Sequence, residues 1–126
     1  MIQEAYVSPE VAKLLKGKGF NVPVWTRYDD EEDKEVIFGD RYDWNNSPMG
    51  QISAPTQAMA MAWLRKEHGI FIAINNDDLD FNWQCYDLID RDGSLDPRTL
   101  SGSYAGFKTY EEAVEAALMY TIEKLI

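Results

Sequence analysis

The fold is decided by residues 54–89, APTQAMAMAWLRKEHGIFIAINNDDLDFNWQCYDLI. The first part predicts a helix that begins at Pro55, after Ser53 or Ala54, and carries a wide band of apolar residues. Gly69 ends this helix, because glycine accepts the left-handed conformation that a helix C-terminus favours. The sequence therefore predicts a well-buried helix that leads directly into a β pattern.

Two strands are predicted after this helix. Residues 70–75 alternate isoleucine with other apolar residues, which favours a central strand covered on much of both faces. Residues 81–89 alternate apolar and polar side chains and predict a strand with one core face. The acidic stretch NNDDLD between them is predicted to be a hairpin loop. A turn at residues 90–93 then leads through a short strand to Phe107.

The last helix is predicted from a capping box that starts at Thr109. In this motif the threonine hydroxyl and the Glu112 carboxylate each satisfy an amide at the helix N-terminus. Apolar residues follow at spacings of three and four, which is typical of a helix with one buried face. The sequence therefore predicts a helix that packs across the sheet.

The N-terminal part is predicted to hold a short helix and a hairpin. Ser8 followed by Pro9 is typical of a helix start. Residues 22–28 and 35–38 predict two strands joined by the acidic run DDEED. Residues 45–51 contain Asn, Ser, Pro and Gly and predict the one linker-like stretch of the chain.

These elements predict one α+β domain over residues 1–126, a small antiparallel sheet with helices packed on one face. The C-terminal two thirds follow the order α-β-β-β-α, preceded by a short helix and a hairpin. A double-stranded RNA-binding domain has the same order. Such domains place lysines at the start of the last helix to meet phosphates, whereas this chain places Glu111 and Glu112 there, which argues against RNA binding.

The charge of the chain limits the classes of partner. Its 126 residues include 22 acidic and 12 basic side chains, for a net charge of −10. The acids fall mainly in four short groups, at residues 29–35, 77–80, 87–96 and 111–115. This balance argues against direct binding of nucleic acid, since such binding requires lysine and arginine at the phosphates. No signal peptide or membrane span is predicted, so a soluble cytoplasmic protein is expected.

No catalytic, cofactor or metal signature is present in the sequence. Cys85 is the only cysteine and is predicted to be a small core residue. His68 precedes a helix-ending glycine, where capping is the expected role. Residues 88–99 superficially resemble a calcium loop but have leucine and threonine at positions that need acids, which excludes an EF-hand.

Two weaker possibilities for chemistry stay open. A weak cation site could form among Asp90, Asp92 and Asp96, although solvated carboxylates in a turn are the simpler interpretation. An enzyme could use a carboxylate pair such as Asp87 and Glu35 for acid–base chemistry. Any acidic protein offers such pairs by chance, so neither possibility is favoured.

Large aromatic side chains are concentrated in the region of the N-terminal hairpin. The chain has four tryptophans and seven tyrosines, and this region holds Trp25, Tyr28, Tyr42 and Trp44. Most large aromatic residues belong to a core, but tryptophan and tyrosine also dominate the energetics of protein interfaces. These four residues are therefore the candidate partner-binding residues, beside the simpler interpretation that they are core.

Three stretches carry a resemblance that spans nearly the whole chain. They are SPEVAKLLKGKGF at residues 8–20, APTQAMAMAWLRKEHGIFIAI at 54–74 and GFKTYEEAVEAALMYTIEKLI at 106–126. Together they resemble a group of uncharacterised small proteins encoded by prophages and other mobile elements of anaerobic gut bacteria. That resemblance implies a genomic setting and no mechanism, cofactor or site residue.

The sequence favours a non-enzymatic accessory protein that binds another protein. The alternative is an acidic inhibitor that mimics nucleic acid and occupies the basic groove of a DNA- or RNA-processing enzyme. A mimic needs carboxylates along one continuous face, so the arrangement of the acidic groups in space distinguishes the two hypotheses. No cofactor and no membrane partner are expected for either.

Overall fold

The computed structural model describes residues 4–30, 32–77, 80–88, 98–102 and 106–126. These residues form an α+β fold, the class predicted. Its helices and strands, in chain order, are α1 (Pro9–Gly17), β1 (Val24–Tyr28), β2 (Ile37–Tyr42), β3 (Ile52–Ser53), α2 (Gln57–His68), β4 (Ile70–Asp77), β5 (Asp80–Asp87), β6 (Arg98–Gly102) and α3 (Tyr110–Tyr120). A 3₁₀ turn lies at Trp44–Asn46, and a π-helical turn at Thr121–Leu125 continues α3.

Helices α1 and α3 begin at the side-chain caps that the sequence predicts. The Ser8 hydroxyl accepts a hydrogen bond from the Val11 amide at 3.2 Å. The Thr109 hydroxyl accepts one from the Glu112 amide at 3.1 Å. Each cap satisfies an amide that has no partner within its helix, which fixes where the helix starts.

Helix α2 begins at Gln57, two residues later than predicted. Thr56 is its cap, and its hydroxyl accepts a hydrogen bond from the Met59 amide at 3.1 Å. Pro55 lies before the helix, and its carbonyl accepts a hydrogen bond from the Val7 amide at 3.0 Å. The pairing with the N-terminal segment therefore competes with an earlier helix start. The helix ends as predicted, with Gly69 at φ 65°.

The strands form two three-stranded antiparallel sheets, where the sequence predicted one sheet and a separate N-terminal hairpin. The first sheet has the order β2-β1-β3, and the second has the order β4-β5-β6. The missed element is β3, which extends the predicted hairpin into a sheet by pairing Ser53 with Arg27 and Ile52 with Tyr28. Two residues are too short for a periodicity to appear, which is why the sequence does not indicate this strand.

Strand β4 lies at the edge of the second sheet rather than at its centre. It pairs with β5 in eight consecutive positions, from Ile70 opposite Asp87 to Asp77 opposite Asp80. The two strands therefore extend into the stretch that was predicted to be a loop. The outer face of β4 is not covered, since Phe71 is 38% exposed.

Residues 45–51 are tied into the fold and are not a linker. The Asn45 side chain donates to the Phe20 carbonyl at 2.8 Å and accepts from the Ser53 amide at 2.8 Å. The Asn45 amide donates to the Ser53 hydroxyl at 3.1 Å. These bonds join the 3₁₀ turn to β3 and to the end of the α1 segment.

One apolar cluster connects the helices to both sheets. Helix α2 contacts β4, and α3 contacts β4 and β5, while α1 contacts α3 and β3. The cluster includes the fully buried residues Leu15, Leu64, Cys85, Val114, Leu118 and Ile122. Because Cys85 is among them, its prediction as a core residue is confirmed.

Candidate functional site

The outward side of β1 carries the first part of the candidate site. Val24, Thr26 and Tyr28 alternate inward and are buried, whereas Trp25 and Arg27 occupy the other face. Trp25 is 61% exposed. A side chain as large as tryptophan is seldom left so open on a strand, because burying it would remove a large apolar area from water.

A cation–π contact organises this side of the first sheet. The guanidinium carbon of Arg27 lies 4.5 Å from the centre of the Trp44 ring. The Arg27 Nε donates to the Asp29 carboxylate at 2.7 Å, and the Gln51 amide donates to the same oxygen at 3.1 Å. The bond from Arg27, and then that from Gln51, lowers the pKa of Asp29. Arg27 is therefore held between a ring and a carboxylate.

Two aromatic residues at the end of β2 extend this arrangement. The Tyr42 ring lies 5.1 Å from that of Trp44 in an edge-on geometry. The Trp44 indole donates to the Val24 carbonyl at 3.0 Å, which fixes its ring against β1. Tyr42 is 47% exposed and Trp44 is half-buried. We call Trp25, Arg27, Tyr42 and Trp44 the aromatic face.

Tyr28 does not belong to this face. Its side chain is 3% exposed, and its hydroxyl donates to the Val7 carbonyl at 2.8 Å. Burial raises the pKa of Tyr28 to about 12, with smaller contributions from the charges of Glu115 and Glu10. Tyr28 is a core residue, so it lies outside the exposed face to which the other three candidate residues belong. Tyr28 lies four residues after Val24, so the two side chains point to the same face of a strand. This spacing is the sequence signal that could have indicated that Tyr28 is buried with Val24.

The sequence analysis missed other exposed apolar residues near the first sheet. Phe38 in β2 is 67% exposed and meets the Tyr6 ring edge-on at 5.8 Å. Met49, which follows the 3₁₀ turn, is 77% exposed. Single apolar residues on a surface are common, and nothing in the sequence around Phe38 and Met49 indicated that they would be exposed.

A second feature is an acidic groove of about 400 Å³ at the start of α3. Its walls carry the carboxylates of Glu111, Glu112 and Glu115, with Lys34 from the loop between β1 and β2. Glu115 accepts hydrogen bonds from the Ser8 amide at 3.3 Å and from the Gln57 side chain at 3.5 Å. The groove thus places the Lys34 side of the loop after β1 close to the glutamates in the first turns of α3.

The structure places the other residues considered for chemistry, Cys85, His68, Asp87 and Glu35, in the following surroundings. Cys85 is fully buried, its thiol faces the Ser101 carbonyl at 3.6 Å, and burial raises its pKa. His68 lies edge-on to the Trp63 ring at 4.8 Å. Asp87 is buried at the end of β5, whereas Glu35 is exposed before β2.

The possible cation site at Asp90, Asp92 and Asp96 lies outside the described residues. Within the described part of the chain, no group of three or more histidine, cysteine or carboxylate side chains could hold a metal ion. In that same part, no helix is both long and apolar enough to cross a membrane.

Comparisons of this chain with models of protein families, with curated proteins and with solved structures find no match.

Proposed function

We propose that this chain is a non-enzymatic accessory protein that binds another protein through the aromatic face. The observation that carries the proposal is the exposed Trp25, on the same face of β1 as Arg27, which is itself held against the fixed ring of Trp44. Tryptophan, tyrosine and arginine are the residues most enriched among those that dominate binding energy. The resemblance to proteins of mobile elements supplies the setting, a phage or mobile element acting in the cytoplasm of its host.

The rigidity of the aromatic face supports binding. Trp44 is held by its hydrogen bond to Val24, and Arg27 is held by Trp44 and Asp29. A partner would therefore meet side chains whose freedom is already restricted, which lowers the entropic cost of association. Trp25 and Tyr42 remain open to supply contact area.

Trp25 is the residue to test, because its replacement removes exposed area and little packing. A tagged chain would be used to capture partners from its native host, with identification by mass spectrometry. We expect Trp25→Ala to weaken binding of the captured protein at least about tenfold, since hot-spot residues contribute more than about 1.4 kcal/mol. Its free energy of unfolding should stay within about 0.5 kcal/mol of the wild type.

Leu88→Ala is the matched control for this experiment. Leu88 is 47% exposed and directly follows β5 in the second sheet, so it tests the loss of an exposed apolar side chain elsewhere. Its variant should capture the partner like the wild type. Equal capture by Trp25→Ala and the wild type would refute binding through the aromatic face.

The acidic groove favours a second candidate, an inhibitor that mimics nucleic acid. Glu115 and Glu10 both act on Tyr28, and Lys34 brings the loop after β1 to the same groove. The Asp80 side chain lies against Gly106, and Phe81 meets the Tyr110 ring at 6.3 Å. Asp80 from one acidic group and the glutamates at residues 111–115 from another therefore lie near the start of α3.

A mimic that used these carboxylates would bind a basic enzyme, and the binding would weaken as salt is added. Replacing Glu111 and Glu112 together by glutamine should abolish such binding while Trp25→Ala leaves it unchanged. The opposite pattern would favour binding through the aromatic face.

Neither candidate predicts direct nucleic-acid binding, so a gel shift with duplex DNA or RNA at physiological salt should show none.

A further inference from the structure

The free edge of β4 is an unusual feature of the second sheet. Residues 70–76, IFIAINN, contain no charged side chain and no proline, although the chain has a net charge of −10. Their pairing with β5 is regular, with no bulge in eight consecutive positions. Proteins usually protect a long edge strand with charges, proline or bulges, because its unpaired backbone groups accept another strand.

The register shows which backbone groups point to this edge. The Leu88 amide donates to the Gly69 carbonyl at 2.7 Å, so the odd-numbered residues of β4 bond toward β5. On the other side of β5, the reciprocal bonds between Phe81 and Phe107 at 2.8 Å agree with this alternation. The amides and carbonyls of Ile70, Ile72, Ile74 and Asn76 therefore point away from β5. Among the described residues no backbone hydrogen bond reaches them.

We propose that β4 pairs antiparallel with β4 of a second copy of this chain, joining two sheets into one of six strands. A two-fold axis perpendicular to the sheet keeps the core faces of both copies on the same side. Centring that axis on Ala73 makes the pairs Ile70–Asn76 and Ile72–Ile74, each formed twice. This register gives about eight hydrogen bonds, and a shift of two residues in either direction loses about two of them.

Charge favours a second copy as the occupant of this edge. The chain has a net charge of −10, yet residues 70–76 carry no charged side chain, so this register places no like charges opposite each other along the paired segment. The last turn of α2, which precedes the paired segment, carries the bases Arg65, Lys66 and His68 beside the acid Glu67. A turn with more bases than acids at each end of the pairing reduces the repulsion between two chains of like net charge.

A cysteine placed at the proposed axis tests the register. Ala73 of one copy would lie opposite Ala73 of the other in a non-hydrogen-bonded pair. The Cα separation of such a pair is about 4.5 Å, which lies within the range for a disulfide. Cys85 is fully buried and leaves the introduced thiol as the accessible one among the described residues. We expect Ala73→Cys to form a covalent dimer under mild oxidation and the wild type to sediment as a reversible dimer.

Asn75→Cys is the matched control, because its thiol faces Phe71 of the other copy and should cross-link far more slowly. Thermal unfolding of both reduced variants verifies that each still folds. Equal or faster cross-linking of Asn75→Cys would overturn the register. A wild type that sediments only as a monomer up to about 1 mM would overturn the dimer, since that limit means negligible affinity. The dimer does not involve Trp25, so either result leaves the aromatic-face proposal to its own test.

Discussion

The Arg27 guanidinium and Gly39 lie on neighbouring strands so close together that a side chain on the glycine would meet it. A Cβ on Gly39 would overlap the Arg27 Nη1 atom and would lie 3.7 Å from the Trp44 ring. The absence of a side chain at position 39 therefore leaves the space in which Arg27 stacks on Trp44. The shape of the aromatic face depends on a residue that contributes no atoms to it.

We predict that Gly39→Ala displaces the Arg27 guanidinium from the Trp44 ring. The free energy of unfolding should fall by about 0.5–1 kcal/mol, the value of an exposed cation–π contact, as measured by denaturant unfolding. NMR should show a shift of the Trp44 indole N–H. Gly17→Ala is the control, because a Cβ there meets nothing within 4 Å, and it should leave the indole signal in place. An unchanged indole signal in Gly39→Ala would show that Arg27 does not depend on this space.

The core prediction concerns Leu118, which is fully buried between α3 and the second sheet. Leu118→Ala should lower the free energy of unfolding by about 2–5 kcal/mol, because it loses apolar burial and leaves a cavity. Denaturant unfolding followed by circular dichroism measures this loss. Met59→Ala, at a side chain 37% exposed on α2, should cost much less. A loss below about 0.5 kcal/mol for Leu118→Ala would contradict the packing of α3.

The cap of α3 gives a third prediction. Thr109→Ala removes the hydroxyl that accepts from the Glu112 amide and should cost about 1 kcal/mol of unfolding free energy. Thr109→Ser keeps an acceptor and should retain most of that stability. If both variants lose the same amount, the threonine methyl and not the cap accounts for the effect.

The raised pKa of Tyr28 predicts how the free energy of unfolding changes in alkali. Its pKa is raised to about 12 in the folded chain, whereas an unfolded tyrosine ionises near 10. The unfolded state therefore loses the proton first, and stability falls as the pH rises from about 10 to about 12. In Tyr28→Phe, whose overall stability is lower because the Val7 carbonyl loses its donor, this part of the decline should be absent. Equal slopes in unfolding experiments across that range would contradict the assignment.

The helix caps and the helix-ending glycine were predicted well, because the contacts that fix them involve residues close in sequence. Ser8, Thr109 and Gly69 satisfy backbone groups or backbone angles within a few residues, and each was placed correctly from sequence. The start of α2 was misplaced because Pro55 pairs with Val7, a residue far away in sequence. Caps alone do not reveal such a competitor.

The arrangement of strands and the candidate site depended on longer-range contacts. The alternation in residues 70–75 identifies a strand but cannot distinguish an edge from a centre, since that depends on which other strand pairs with it. The aromatic composition suggested four residues for one face. Structure separated Tyr28, which is buried against Val7, from Trp25, which is exposed, and it added Arg27, whose role depends on its distance to Trp44.

The burial of Cys85 gives this chain an internal reporter of its own opening. A thiol with no exposed surface and a raised pKa reacts with an alkylating reagent only after the second sheet has opened. The rate of labelling in native buffer therefore measures how often that sheet opens, without denaturant and without an introduced cysteine. Comparing this rate before and after a partner binds would show whether the contact stabilises the second sheet or leaves it untouched.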